Sequence, residues 1–221
     1  ARTWGSGLVQ LRPRRRIDTP DGHTFWSQKI EGLDGHVHAR AGDGWYRWAD
    51  ATGWHRHKTT KHAVRGLVGP DGIGYFWHDN GLFRHTPTPG TPPVQLASWA
   101  PDGRDANMVA MGRDTALVVR HEDVILRLRR TDGYLLDTLA TLPPDLADAR
   151  GRYMTVDAEG RIWMALYRAG LVRVDPDGTP PLRRILDGVP MENVRLLGDS
   201  LLLAGTKQGL YVVEPHTGDV Q

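Results

Sequence analysis

The sequence contains no cysteine, which excludes disulfide bonds and thiolate chemistry and leaves both the cytoplasm and the periplasm open as compartments. It has no run of about 18 apolar residues that could span a membrane, and it has no apolar signal-peptide core. The first residue is Ala1 and not a methionine. We therefore expect a piece of a longer protein whose targeting segments lie elsewhere in the parent chain.

What the chain does contain is typical of a globular all-β protein. Its 221 residues are 39% hydrophobic, which is enough to build a core. The 26 glycines and 15 prolines are spread along the chain, and the apolar runs between them are short. This pattern predicts many brief strands joined by tight turns.

A degenerate repeat organises the whole chain. In its clearest copy, residues 156–179, a turn at Glu159-Gly160 is followed by a strand through Trp163 and by a second strand that Gly170-Leu171 opens. Weaker copies begin at Gly69 and Leu196. The residue pairs that open the equivalent strand start at positions 7, 44, 81, 124, 170 and 209, so the steps are 37, 37, 43, 46 and 39.

Repeats of about 40 β-rich residues match the four-stranded blade of a β-propeller. We name the strands of a blade A to D in chain order. The sequence predicts strand A at residues 107–112 and 152–157, B at 116–121 and 162–167, C at 124–129 and 170–175, and D at 135–140 and 181–186. Trp77 and Trp163 occupy repeated B positions, so we interpret them as aromatics that pack between blades.

The two ends of the chain do not supply each other's missing strands. The chain begins within a partial blade anchored at Gly7-Leu8 and stops near residues 216–218, where a last strand D should begin. The sequence therefore predicts a single propeller domain or fragment over residues 1–221, an arc of about five four-stranded blades from a larger ring, for example one of seven blades. A closed five-bladed ring is the alternative.

The copy at residues 156–179 resembles the two-component-regulator propeller repeat. The residues that carry the resemblance are Asp157, Gly160, Trp163, Gly170, Leu171, Asp175 and Pro176. The resemblance implies a periplasmic sensor region joined through a membrane helix to a histidine kinase or diguanylate cyclase. Residues 69–76 are also similar to the Gly-Pro-Asp-Gly-aromatic pattern of streptogramin-type lyases.

The B-to-C loops of a propeller emerge on one face, together with the D-to-A connections, so their polar residues form the candidate ligand site. These residues vary where the scaffold residues recur. They are Arg40, Asp43, His78, Asp79, His121, Glu122, Tyr167, Arg168, Lys207 and Gln208. The alternative interpretation of each is an ordinary solvated loop residue.

Other constellations are weaker. The pairs His36/His38 and His55/His57 would each share a strand face, but no cysteine or carboxylate completes a metal-ligand pattern, and exposed strand positions explain them. Ser6 is the one serine between glycines, and its glycines already belong to the first repeat. The basic cluster at Arg12 and residues 14–16 is interpreted as a solvated edge and not as a nucleic-acid site.

The function these patterns favour is a non-enzymatic sensor or recognition propeller without a cofactor. We expect a small-molecule or glycan ligand, an extracytoplasmic location, a kinase or cyclase output domain in the parent chain, and no nucleic-acid partner. Exposed blade edges could also make the chain associate with itself. The alternatives are a propeller lyase or hydrolase that uses His78, His121 or Glu122 as acid or base, and a protein-interaction scaffold.

Overall fold

The computed structural model describes residues 29–36, 38–41, 44–49, 53–58, 65–78, 80–88, 91–99, 108–112, 114–198 and 200–221. These residues divide into two compact units, which are described separately. The first unit contains the described residues from 108 to 129 and from 134 to 221, and the second contains those from 29 to 99 together with 130–133.

The second unit is one eight-stranded sheet with the order β4-β3-β2-β1-β5-β6-β7-β8. Two antiparallel sets of four strands meet where β1 and β5 pair in parallel. The strands are β1 (Lys29–Gly32), β2 (His38–Ala41), β3 (Gly44–Ala49), β4 (Gly53–Lys58), β5 (Arg65–Val68), β6 (Gly74–His78), β7 (Gly81–His85) and β8 (Val94–Ala97).

The first unit contains three antiparallel sheets, two of four strands and one of three. The first has β9 (Met108–Met111), β10 (Leu117–His121), β11 (Val124–Leu128) and β12 (Leu135–Thr141); the second has β13 (Gly151–Val156), β14 (Ile162–Leu166), β15 (Gly170–Val174) and β16 (Leu182–Asp187). The third has β17 (Met191–Leu197), β18 (Leu201–Thr206) and β19 (Leu210–Val213), and the short helix α1 (Pro144–Ala147) precedes β13.

Each set of strands is an up-and-down meander, so the chain is a β-propeller with the blades that the repeat predicts. We number them blade 1 (β1–β4), blade 2 (β5–β8), blade 3 (β9–β12), blade 4 (β13–β16) and blade 5 (β17–β19). Gly44, Gly81, Val124 and Gly170 each begin strand C of a blade, and Gly209 lies one residue before β19. The predicted strands of blades 3 and 4 agree with the structure to within one residue at nearly every end.

The chain after β19 differs from the prediction, which placed the start of strand D of blade 5 near residues 216–218. The chain turns after β19, where the amide of Gly218 donates to the carbonyl of Glu214 at 2.8 Å. Val220 then pairs with Val213 in an antiparallel bridge, so strand pairing resumes later than residue 216. Gly7-Leu8, Ser6 and the basic cluster at residues 12–16 lie outside the described residues, and ring closure stays a prediction.

The core of the first unit lies between blades, because both faces of a central strand are covered. In β14, Ile162 and Met164 pack in the cluster shared with blade 3, whereas Trp163 and Ala165 pack in the cluster shared with blade 5. Every residue of β14 is buried, which explains why this strand is an uninterrupted apolar run. Trp163 is fully buried, as its repeated position predicts, and Trp77 is also buried.

An aspartate in the A-to-B connection organises four blades. In each, one carboxylate oxygen accepts the amide of the residue two positions later at 3.1–3.2 Å, a local bond that fixes the turn. The pairs are Asp34 with His36, Asp71 with Ile73, Asp114 with Ala116 and Asp157 with Glu159. The recurrent aspartates of the sequence are therefore turn residues of the scaffold.

Candidate functional site

Two equivalent irregularities mark the first strands of blades 4 and 5. The pairing of β13 with β14 shifts between Gly151 and Tyr153, and that of β17 with β18 shifts between Met191 and Asn193. Each strand therefore carries one extra residue, Arg152 in blade 4 and Glu192 in blade 5. Because a β-bulge redirects side chains and is common beside active sites, this matched pair identifies a candidate site.

The two bulged residues face each other as opposite charges. Arg152 Nε lies 3.6 Å from Glu192 Oε2, and the side chains are 25% and 31% exposed. This distance lies beyond hydrogen-bond range, so the pair is close without forming a directed bond. The arrangement presents a guanidinium and a carboxylate side by side at one edge of neighbouring blades.

An aromatic ring from the B-to-C loop of blade 4 completes the group. The guanidinium carbon of Arg152 lies 4.7 Å from the centre of the Tyr167 ring, and that of Arg168 lies 5.4 Å from it. Both distances are within cation–π range. The Tyr167 amide also donates to the carbonyl of Arg150 at 2.8 Å, which ties the loop to the start of β13.

Three polar atoms of this group are buried without a hydrogen-bond partner among the described residues: Arg152 Nε, Glu192 Oε1 and Asn193 Oδ1. A buried polar atom without a partner costs about 1–3 kcal/mol, so folded proteins retain few of them. Three such atoms on residues at two equivalent bulges indicate hydrogen-bonding capacity that the scaffold does not use. We call Arg152, Tyr167, Arg168, Glu192 and Asn193 the bulge cluster.

The structure thus brings together two of the residues predicted from sequence, Tyr167 and Arg168. Arg168 has a φ of 68° and Glu122, in the B-to-C loop of blade 3, has a φ of 52°. Non-glycine residues seldom adopt this left-handed conformation, and such strain is often found at functional sites. The two loops hold Arg168 and Glu122 in a strained backbone where glycine would be relaxed.

His121 and Glu122 lie beside a buried arginine and not in the bulge cluster. Arg120, fully buried at the end of β10, donates from Nε to the carbonyl of Glu122 at 3.1 Å. Its Nη2 donates to the carbonyls of Leu146 and Ala147 at 2.8 Å, so it caps the carboxyl end of α1. Arg120 therefore ties the B-to-C loop of blade 3 to the connection that leads into blade 4.

Lys207 and Gln208 lie in the last B-to-C loop, which a threonine holds in shape. Thr206 Oγ1 accepts the amides of Gln208 and Gly209 at 3.1 and 3.0 Å. Both Lys207 and Gln208 are exposed. They remain candidate ligand residues by position alone.

In the second unit, two predicted loop residues belong to strands. Arg40 lies in β2, and His78 is the last residue of β6. His78 Nε2 lies 2.9 Å from His85 Nε2, with the ring planes within 8° and the ring centres 5.1 Å apart. The centres are separated by about the N–N distance plus the radii of the two rings, so the rings meet edge to edge and are joined by a hydrogen bond between the two Nε2 atoms. Asp43 and Asp79 lie outside the described residues.

The paired histidines of the sequence do not form a metal site in the part of the chain that the structure describes, where no group of three ligating side chains is found. His36 lies in a turn and is exposed, so it does not share a strand face with His38. The prediction that exposure explains these histidines is wrong for His38, which is buried. Its ring lies between Asp34 and Trp45, with hydrogen bonds of 2.9 and 3.0 Å.

Sequence reasoning missed Arg152, Glu192 and Asn193, because it searched the loops and not the starts of the A strands. The pattern that reveals them appears only in the folded chain. Residues 151–154 and 191–194 are 40 positions apart, and in each stretch two half-buried residues lie between buried ones, which breaks the alternation of a regular strand. The polar pair at this equivalent position marks the site.

Comparisons with known proteins agree with the propeller architecture. No protein-family model matches the chain, and no curated protein matches it. Among solved structures, virginiamycin B lyase from Staphylococcus aureus aligns with 90% of this chain and 71% of its own, at 13% identity and a TM-score of 0.66. A streptogramin B lyase structure aligns with 83% of this chain and 62% of its own, at 16% identity and a TM-score of 0.60.

A third similar structure is the extracellular domain of a one-component system from B. thetaiotaomicron. It aligns with 88% of this chain and 28% of its own, at 15% identity and a TM-score of 0.62. The chain therefore spans between 28% and 71% of the length of these three proteins. At such identities the likeness establishes the fold. Within the described residues, no helix has the length and apolar character needed to cross a membrane.

Proposed function

We propose that this chain is a ligand-recognition propeller, without catalytic activity, from the extracytoplasmic input region of a bacterial regulator. The bulge cluster is its binding site for a small polar molecule. The observation that carries this proposal is the set of three buried, unpartnered polar atoms on Arg152, Glu192 and Asn193. A ligand that supplies their missing partners would recover a free-energy cost that the free protein bears.

The position of the cluster suits recognition. Tyr167 and Arg168 come from a B-to-C loop, whereas Arg152 and Glu192 come from the starts of neighbouring A strands. The sheet holds the charged pair rigidly, and the loop contributes an aromatic face and an exposed guanidinium. Rigid polar groups beside an adaptable loop are common in small-molecule sites.

The sensor role draws support from the repeat and from the extracellular-domain structure to which the chain is similar. In this proposal, ligand occupancy passes to a kinase or cyclase domain elsewhere in the parent protein. The likeness to lyases concerns the fold and leaves the choice between binding and turnover to experiment.

The proposal is tested by thermal-shift and calorimetric screening of the chain against neutral sugars, uronic acids, amino acids and amines. We expect a ligand whose binding is lost in Glu192→Ala and retained in Glu159→Gln, a control at an exposed carboxylate in the A-to-B turn of blade 4. Binding that persists unchanged in Glu192→Ala would contradict the site.

Product formation from a bound compound would instead favour the enzymatic alternative. In that case activity should depend on His78, His121 or Glu122, and substitution of the residue that acts as acid or base should abolish it while the fold is retained. Failure of every small molecule to bind, with capture of a purified protein partner, would favour the interaction scaffold.

A further inference from the structure

We propose that the bulge cluster recognises a zwitterion that carries an ammonium and a carboxylate a few ångströms apart, as a free α-amino acid does. This inference rests on the proposed function and names its ligand class. It follows from the two kinds of unused hydrogen-bonding capacity that the cluster combines.

The first half of the cluster accepts hydrogen bonds. Glu192 Oε1 and Asn193 Oδ1 are acceptor oxygens on consecutive residues of β17, and both are buried without a partner among the described residues. An ammonium group offers three donors and one positive charge. It can therefore neutralise the carboxylate of Glu192 and still offer a donor to a second acceptor such as Asn193 Oδ1.

The second half donates. Arg152 has a buried Nε without a hydrogen-bond partner, and the guanidinium of the exposed Arg168 lies against the same Tyr167 ring. Guanidinium groups bind carboxylates through parallel N–H bonds, and a neighbouring aromatic ring limits the freedom of their side chains. This half suits the carboxylate end of the ligand.

The closeness of the two halves excludes simpler ligands. A plain anion at Arg152 would lie near the carboxylate of Glu192, which is 3.6 Å from Arg152 Nε, and a plain cation at Glu192 would lie near Arg152. A neutral sugar would satisfy hydrogen bonds but would cover both charges without compensating either. A zwitterion placed head to tail against the pair sets each of its charges beside the opposite one.

The experiment measures binding of the twenty L-α-amino acids to the whole chain by isothermal calorimetry, with D-glucose and D-galacturonate as comparison ligands. For an amino acid that binds, two analogues are then tested: the amine that lacks the carboxylate and the N-acetyl derivative that lacks the ammonium. We expect each analogue to bind about tenfold or more weakly, because each lacks the charged group that would contact either Arg152 or Glu192.

Variants assign the two halves. Glu192→Gln should weaken binding of the amino acid about tenfold and leave the already weak binding of the N-acetyl derivative nearly unchanged. Arg152→Gln should likewise weaken binding of the amino acid and leave the already weak binding of the amine nearly unchanged. Asn193→Ala is a second test of the accepting half should Glu192→Gln fold poorly. Glu159→Gln is the matched control, and circular dichroism checks the fold of each variant.

The outcomes separate this inference from the proposed function. Amino-acid binding that requires both the ammonium and the carboxylate supports the zwitterion inference and the proposed recognition function. Binding of glucose or galacturonate that depends on Glu192, with no response to any amino acid, would overturn the zwitterion and leave a recognition site. No binding by any compound in either panel would contradict the recognition site itself.

Discussion

Blade 4 and blade 1 differ in the side chains that hydrogen-bond the aspartate of the A-to-B turn. In blade 4, Asp157 Oδ2 accepts from the indole Nε1 of Trp163 at 2.8 Å and from Arg161 Nε at 2.7 Å. In blade 1, the position equivalent to Trp163 in strand B is occupied by His38, as the strand registers show. His38 bonds Asp34 through Nε2, and through Nδ1 it bonds Trp45 in strand C of the same blade.

The hydrogen bonds of blade 1 define the state of His38. An indole N–H only donates, so His38 Nδ1 must be an acceptor. Nε2 must then carry the hydrogen and donate it in the hydrogen bond to Asp34. Burial lowers the pKa of His38, and this effect outweighs the opposing influence of Asp34. Burial alone would raise the pKa of Asp34, but hydrogen bonds from His38 and from the His36 amide lower it.

The difference between the blades lies in how each aspartate is paired. In blade 4, both side-chain partners of Asp157, a guanidinium and an indole, can only donate, so the direction of each bond is fixed. The blade 1 link depends on a neutral imidazole, because a proton added to Nδ1 would remove the acceptor that Trp45 needs. The link from the turn aspartate to this position of strand B thus exists in a fixed form, with Trp163, and in a titratable form, with His38.

The largest expected effect comes from breaking the fixed form. Asp157→Ala leaves the buried Arg161 and the indole of Trp163 without their acceptor, so we expect a loss of about 3–5 kcal/mol in the free energy of unfolding. Urea denaturation measures it, with Asp157→Asn as a control that keeps one acceptor oxygen. A loss below about 1 kcal/mol would show that the contact is not a structural one.

Breaking the titratable form should cost less. Asp34→Ala removes a carboxylate whose main side-chain partner is one neutral imidazole, so we expect a loss of about 1.5–3 kcal/mol. The same denaturation experiment compares the two variants. A cost for Asp34→Ala above that for Asp157→Ala would reverse the ranking of the two links.

A smaller effect is expected from pH, which should alter the hydrogen bonds of blade 1 and not those of blade 4. Because the folded pKa of His38 lies below its unfolded value of 6.5, the unfolded chain takes up the proton first as the pH decreases. The free energy of unfolding therefore falls as the pH decreases from 6.5 through the lower, folded pKa. The indole N–H resonance of Trp45 should shift only as the pH falls below about 6.5, because the folded pKa of His38 is lowered from that value, whereas the resonance of Trp163 should not shift. His38→Gln should flatten the pH dependence of stability. Equal shifts at both indoles would contradict the assignment.

The smallest expected effect concerns an exposed pair in blade 4. Glu159 accepts from Arg161 Nη2 at 2.8 Å, but its side chain is 43% exposed. Glu159→Gln should therefore change the free energy of unfolding by about 0.5 kcal/mol or less. A change in the free energy of unfolding as large as that of Asp34→Ala would mean that the hydrogen bonds around Asp157 depend on the exposed pair of Glu159 and Arg161.

The fold could be predicted because a propeller repeats its local signals. The residues that open strand C recur in five copies, and the uninterrupted apolar run of β14 is typical of a strand buried on both faces. The division into two compact units and the parallel pairing of β1 with β5 were not predictable, because they depend on contacts between copies. Local periodicity carries no information on such contacts.

The candidate site could be predicted only in its loop half. Tyr167 and Arg168 stood out because they vary where the repeat is constant. Arg152 and Glu192 gave no such signal, since a bulge depends on register with the neighbouring strand and not on residue type. His38 was misjudged because its burial follows from Asp34 and Trp45, which come from different parts of blade 1.

The pairing of β1 with β5 has a consequence for local opening. Glu31 and Gly32 pair with Leu67 and Val68, and the Leu33 amide donates to the carbonyl of Val68 at 2.8 Å. Neighbouring blades within the first unit share side-chain cores, whereas blades 1 and 2 of the second unit also share main-chain hydrogen bonds. Their amide protons should therefore exchange with solvent as one cooperative unit, and a single opening event would release both blades.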